Sequence, residues 1–185
     1  MSRVLIKVSK EQKRYTSFKC NPVECEKSES FCCRAYSAVI SEYESELIAK
    51  LIPDIRRLFS LGPERLPSHP FTRIDDDTFE IDHSPSTGAC IFLAYDDEDT
   101  PICLIHAVCE SLGLDYRLYK PLGCCMFPLE VVEDTDNEKV CIIHRDYSRL
   151  PCLKEFSQVE SKSLLDLAKH ELEANDTSFD YLIEE

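Results

Sequence analysis

Cysteine governs what this chain can fold into. Eleven of its 185 residues are cysteine. Four of them, Cys20, Cys25 and the adjacent pair Cys32-Cys33, fall within fourteen residues. Further along come Cys90, then Cys103-Leu104-Ile105-His106, then Cys124-Cys125. Thiols grouped this way either pair with one another or hold metal, and the redox compartment decides between the two. The opening Arg3-Val4-Leu5-Ile6-Lys7-Val8 is too short for the apolar part of a secretion signal, and Lys7 interrupts it. No apolar run reaches membrane-spanning length. A cytoplasmic chain is therefore expected, and cytoplasmic thiols are kept reduced. An odd cysteine count suits a complete disulfide set poorly. The neighbouring side chains of Cys32 and Cys33 diverge, which the narrow geometry of a disulfide disfavours. Metal ligation is the preferred reading, and a disulfide-stabilised structural protein the alternative.

Apolar residues make up 43% of the chain, enough for a modest packed core. We expect one cysteine-cluster domain over residues 1–174 and an acidic tail over 175–185. The net charge of −14 opposes nucleic acid and anionic membrane surfaces, which are themselves densely negative. It leaves a well-solvated surface, or a protein partner, as its use.

The pattern along the chain predicts a small α+β fold, loop-rich around the cysteines, with two or three helices and short antiparallel strands. Val4, Ile6 and Val8 alternate as in a strand. An irregular loop is expected over 20–33, because ligands from one segment must converge on a point. Ser41 and Glu44 form a Ser-x-x-Glu capping box ahead of an apolar stripe from Leu47 to Phe59. Pro53 is expected to kink or restart that helix. Strands are predicted over 78–82 and 90–95. Thr100-Pro101 reads as a cap and first turn of a helix running to Leu112, which would place Cys103 and His106 on one face. Leu129–Val132 and Val140–Ile143 read as a hairpin around Asp134–Asn137. A last amphipathic helix is predicted over 161–174, and the tail beyond it as frayed, or docked only through Phe179, Tyr181 and Leu182.

Thiolate sulfur is a soft, charged donor that suits zinc, iron and iron–sulfur clusters and does not suit magnesium or calcium. Four thiolates close a tetrahedral zinc site or hold a four-iron, four-sulfide cluster. The candidate ligands are Cys20, Cys25, Cys32, Cys33, Cys90, Cys103 and Cys124, with His106 able to replace a thiolate. For Cys109, Cys125, Cys141 and Cys152 a buried thiol is the expectation. Asp75-Asp76-Asp77 lacks the spaced ligands of a calcium loop and reads as a solvated turn.

Phe18-Lys19-Cys20, Cys25, Cys32-Cys33, Cys90-Ile91-Phe92-Leu93, Cys103-Leu104-Ile105-His106 and Lys120-Pro121-Leu122-Gly123-Cys124-Cys125-Met126-Phe127-Pro128 follow one another in a recognisable order. That order resembles the YkgJ-type cysteine-cluster family of zinc- or iron-chelating domains. It is also similar to the cysteine-rich region of flagellin lysine methylases. The resemblance spans residues 18–128 and implies a bound metal, with an iron–sulfur cluster among the forms it takes. Where the family pattern ends in Arg-Pro-x-x-Cys-Arg-x-Phe-Pro, this chain has Cys125 in place of the second arginine, and its first cysteine group is more loosely spaced than the family's.

The expected function is metal binding by clustered cysteines, as an iron–sulfur cluster or iron, alternatively zinc, in a redox, assembly or partner-interaction role. An iron-dependent enzyme acting on a peptide or small molecule is the second reading. No phosphate-binding loop and no separate catalytic constellation points to a reaction.

Overall fold

The computed structural model describes residues 3–8, 17–18, 24, 27, 32–133, 139–143, 150, 152–154, 162–163 and 178–183. In chain order the elements are β1 (Arg3–Val8), β2 (Ser17–Phe18), α1 (Cys32–Ala35), β3 (Val39–Ser41) and α2 (Glu42–Leu58). Then come β4 (Phe71–Arg73), β5 (Thr78–Ile81), β6 (Leu93–Tyr95), β7 (Pro101–Cys103) and α3 (Leu104–Leu112). A 3-10 turn at Tyr116–Leu118 leads to α4 (Leu122–Met126). The chain ends with β8 (Leu129–Glu133), β9 (Lys139–Ile143), β10 (Leu153–Lys154), β11 (Lys162–Ser163) and β12 (Ser178–Ile183). The class is α+β, as the sequence predicts, with short strands in small sheets. No helix among the described residues is long and apolar enough to cross a membrane.

The chain divides into two compact units, one of Phe31–Cys124 and the other of Met1–Ser30 with Cys125–Glu185. In the second, β12, β1, β9 and β8 form one sheet in that order. The hairpin β8–β9 is antiparallel as expected, with Leu129 opposite Ile143. β1 runs parallel to both β9 and β12. The tail is therefore a strand over Ser178–Ile183, where the sequence suggests fraying or side-chain docking; Phe179, Tyr181 and Ile183 carry the two-residue alternation of a strand. Lys162–Ser163 also pair as strand, with Phe18 and Ser17, and not as the start of a helix. Residues 164–174 of that expected helix and the turn Asp134–Asn137 lie outside the described residues.

The unit Phe31–Cys124 is built on α2. Ser41 caps it: its Oγ accepts from the Glu44 N–H, and the Glu44 carboxylate accepts from the Ser41 N–H at 2.8 Å. Glu42 and Glu44 stand at the positive end of the helix dipole, Arg56 and Arg57 at the negative end. The helix continues through Pro53, where the sequence suggests a kink or restart. It closes at Phe59, with Ser60 in the left-handed region at φ 52° and the Leu61 N–H donating to the Arg56 carbonyl at 2.9 Å. Ile48, Leu51, Ile52 and Ile55 line its buried face. They belong to one core with Ile40, Phe79 and Ile81 of the antiparallel sheet β3–β5–β4 and with Leu104, Ile105 and Val108 of α3. Each such side chain contributes about 1.5–3 kcal/mol on burial. Cys90 and Cys103 pack against this core.

Candidate metal centre

Four separate segments of the unit Phe31–Cys124 supply thiols. Cys32 and Cys33 sit on α1, a single helical turn that the Tyr36 N–H closes onto the Cys32 carbonyl at 3.2 Å. Arg34, next in line, donates to the Tyr95 hydroxyl at 2.9 Å and so ties this turn to β6. Cys90 follows a tight reversal in which the Gly88 N–H donates to the Ser84 carbonyl at 2.8 Å. Gly88 itself takes φ +66°, a conformation that costs a residue without Cβ little. The reversal lays Cys90 against His83 as an antiparallel bridge. The Cys90 N–H then donates to the Cys33 carbonyl at 2.6 Å, so the backbones of two candidate ligands touch directly.

The sequence predicts strand over 90–95; instead the chain turns at Ile91-Phe92 and β6 begins at Leu93. The Leu93 N–H closes the turn on the Cys90 carbonyl at 2.9 Å. Across the β6–β7 hairpin Leu93 pairs with Cys103. Cys103 therefore ends a strand and caps α3 through its backbone, where the sequence suggests helix from Thr100 onward. The cause is the acidic turn before it. Asp96 accepts from the N–H groups of Glu98 and Thr100, which folds the chain back before a helix can start. Cys124 lies on α4, and its N–H donates to the Pro121 carbonyl at 2.9 Å. Glu44 reaches across to accept from the Leu122 N–H at 3.2 Å, pinning the start of that helix.

The five thiols of Cys32, Cys33, Cys90, Cys103 and Cys124 are each half-buried. They lie within range of one another's charge. The Cys33 thiol donates to Cys32, and with the positive charge of Lys120 this holds the Cys32 thiol below the ordinary thiol range. As the donor of that bond Cys33 is held protonated, further so by burial and by its neighbours Cys103 and Cys90. Burial pushes Cys90 up to about 11, with Cys103 and Cys32 adding to the rise; the Phe92 N–H and the Arg65 charge act against it. Burial also raises Cys124, as do Cys103, Cys90 and Cys32, and Lys120 opposes them. Lys120 and Arg65 thus place positive charge beside a group of thiols in a strongly acidic chain.

The donor chemistry fits a thiophilic metal. Among the described residues, however, no three His, Cys, Asp or Glu side chains are disposed as a ligand shell. Cys20 and Cys25 lie outside the described residues. His106 takes other partners: its ring stacks on Tyr116 with centroids 4.1 Å apart, and its Nε2 lies 3.3 Å from the Glu110 carboxylate. Cys109, Cys125 and Cys152 are buried, as the sequence predicts; Cys109, on α3, belongs to the core around α2. Cys32, Cys33, Cys90, Cys103, Cys109 and Cys124 are free thiols. The sequence gives no sign of Arg65, which meets the Cys90 turn across more than twenty intervening residues and carries no local pattern. No family model, no curated protein and no solved structure matches this chain.

Proposed function

We propose that this chain holds a metal centre through thiols gathered from α1, the Cys90 turn, the end of β7 and α4. The observation that carries the reading is the meeting of Cys32, Cys33, Cys90, Cys103 and Cys124 within electrostatic range of one another inside one unit. The sequence offers His106, three residues beyond Cys103, as a further donor. An iron–sulfur cluster suits this donor set best. Soft anionic sulfurs take up iron, and Lys120 and Arg65 offset the negative charge that four thiolates bring to it. In keeping with the YkgJ-type resemblance, the role is redox, assembly or interaction with a protein partner in the cytoplasm. The charge of −14 points that partner away from nucleic acid and anionic membranes.

The test is chemical analysis of protein purified without oxygen, for iron, zinc and acid-labile sulfide per chain, with a visible spectrum. Iron with matching sulfide and a broad charge-transfer absorption is the expected result. Zinc in a colourless protein moves the role to structure or interaction. Iron without sulfide moves it to an iron-dependent enzyme. A fully stable chain without any of these overturns metal binding, because metal held by ligands drawn from distant segments contributes to folding itself.

A further inference from the structure

Arg65 lies in the loop after α2 and takes no part in the helix-end interactions that arginines nearby make. The turn that carries it is fixed to α2 from behind, where Arg56 Nε donates to the Leu66 carbonyl at 2.8 Å. Leu66 is wholly buried. From this anchored base the Arg65 guanidinium spreads over the turn that follows Cys90. Nη1 donates to the Ile91 carbonyl at 2.9 Å and Nη2 to the Leu93 carbonyl at 2.8 Å. A planar fork with two parallel donors fixes both the position and the tilt of what it grips.

The Ile91 carbonyl belongs to the same peptide plane as the Phe92 N–H, and that N–H faces the Cys90 sulfur. A cation bonded to the carbonyl end of a peptide draws electron density from it and makes its N–H a stronger donor. The same fork fixes the far side of the turn at Leu93, the residue paired with Cys103.

We propose that Arg65 is a positioning residue for the metal centre: by gripping the Ile91 and Leu93 carbonyls it sets the Cys90 sulfur and aims the Phe92 N–H at it. This rests on the metal-binding reading above. Arg65 touches no metal in it. It acts through the peptide, as groups outside a ligand shell commonly do, and loss of such a partner lowers metal affinity by about 10–100-fold.

Cobalt(II) titrated into the reduced full-length chain tests both statements separately, because its sulfur-to-cobalt charge-transfer band reports thiolate ligation. The variants are Arg65→Met, which removes fork and charge, and Arg65→Lys, which keeps charge but not the fork. Arg57→Met serves as control, since Arg57 is exposed and pairs with Asp54 on its own helix. Arg65→Met should weaken cobalt binding about tenfold or more and alter the band at saturation. Arg65→Lys should fall between it and the wild type, and Arg57→Met should match the wild type. Should Arg65→Met fail to fold, Arg65→Lys carries the comparison alone. Arg65 variants that bind cobalt within about twofold of the wild type with the same band overturn the assignment. So does a lowered thermal midpoint with an unchanged band, which marks Arg65 as a general fold anchor. Absence of any charge-transfer band in the wild type overturns the metal-binding reading itself, and the role of Arg65 falls with it.

Discussion

A thiol in an apolar pocket resists losing its proton, because the anion left behind forfeits its hydration. Burial, with the charge of neighbouring groups, raises Cys90 and Cys109 to about 11 each. An unfolded chain ionises the same thiols near pH 8.5. Above that value the unfolded state sheds protons that the folded state keeps, so folding loses ground as pH rises. The stability these two thiols contribute is present in full below about pH 8.5. It is lost as pH climbs through about 11. Cys33 and Cys124, also raised, act in the same sense. Cys32, lowered by the Cys33 hydrogen bond, acts in the opposite sense and adds stability as pH rises toward the unfolded thiol value. Above about pH 8.5 Cys32 is ionised in both states, so the raised groups set the slope there. Metal-free protein should therefore lose urea resistance steadily from about pH 8.5 to 10.5, and Cys109→Ala should flatten the slope. A midpoint that stays level across this range would show that the thiols are already ionised in the fold. Ligation needs thiolates, so metal uptake at neutral pH should release protons from the same residues.

At the scale of elements, Glu44 joins two structures that the sequence keeps far apart. One oxygen completes the capping box of α2 and the other accepts from the Leu122 N–H at the start of α4. Ser41→Ala should cost about 1 kcal/mol, the usual value of a lost helix cap. Glu44→Ala should cost more than Ser41→Ala, because it also strands the Leu122 N–H, and it should raise the reactivity of Cys124 toward a thiol reagent. Equal destabilisation by the two variants, with Cys124 unchanged, would mean that the α4 contact contributes nothing. The capping box and the apolar stripe of α2 were legible because both are local, with periodicity and spacing inside one segment. The strand Pro101–Cys103 was not, because Thr100-Pro101 carries a helix-start pattern and what defeats it is a turn made by Asp96 four residues earlier. The cysteines were legible as a set, by residue type and order. That Cys90 leans on the Cys33 backbone while His106 stacks on Tyr116 depends on contacts between segments, for which one sequence holds no pattern.

At the scale of the whole molecule, the thiols stand where a ligand stabilises most. α1, the Cys90 turn, the end of β7 and α4 are separated in the chain, and Cys90 and Cys103 pack against the core built around α2. Metal that joins such segments closes long loops, and it binds the folded state while the unfolded chain offers only scattered thiols. A ligand present at a hundred times its dissociation constant stabilises the folded state by about 2.7 kcal/mol. In a chain of this size each kcal/mol moves the thermal midpoint by about 2–4 °C. On the metal-binding proposal, a chelator under reducing conditions should therefore lower the midpoint by roughly 5–10 °C. Restoring iron and sulfide, or zinc, should return it. The acidic surface adds a second handle. With a net charge of −14 the stripped chain repels itself, so added salt should recover part of the loss without metal. Recovery by salt alone to the full loaded midpoint would assign the effect to screening of the surface. Recovery only with metal assigns it to the thiols of Cys32, Cys33, Cys90, Cys103 and Cys124.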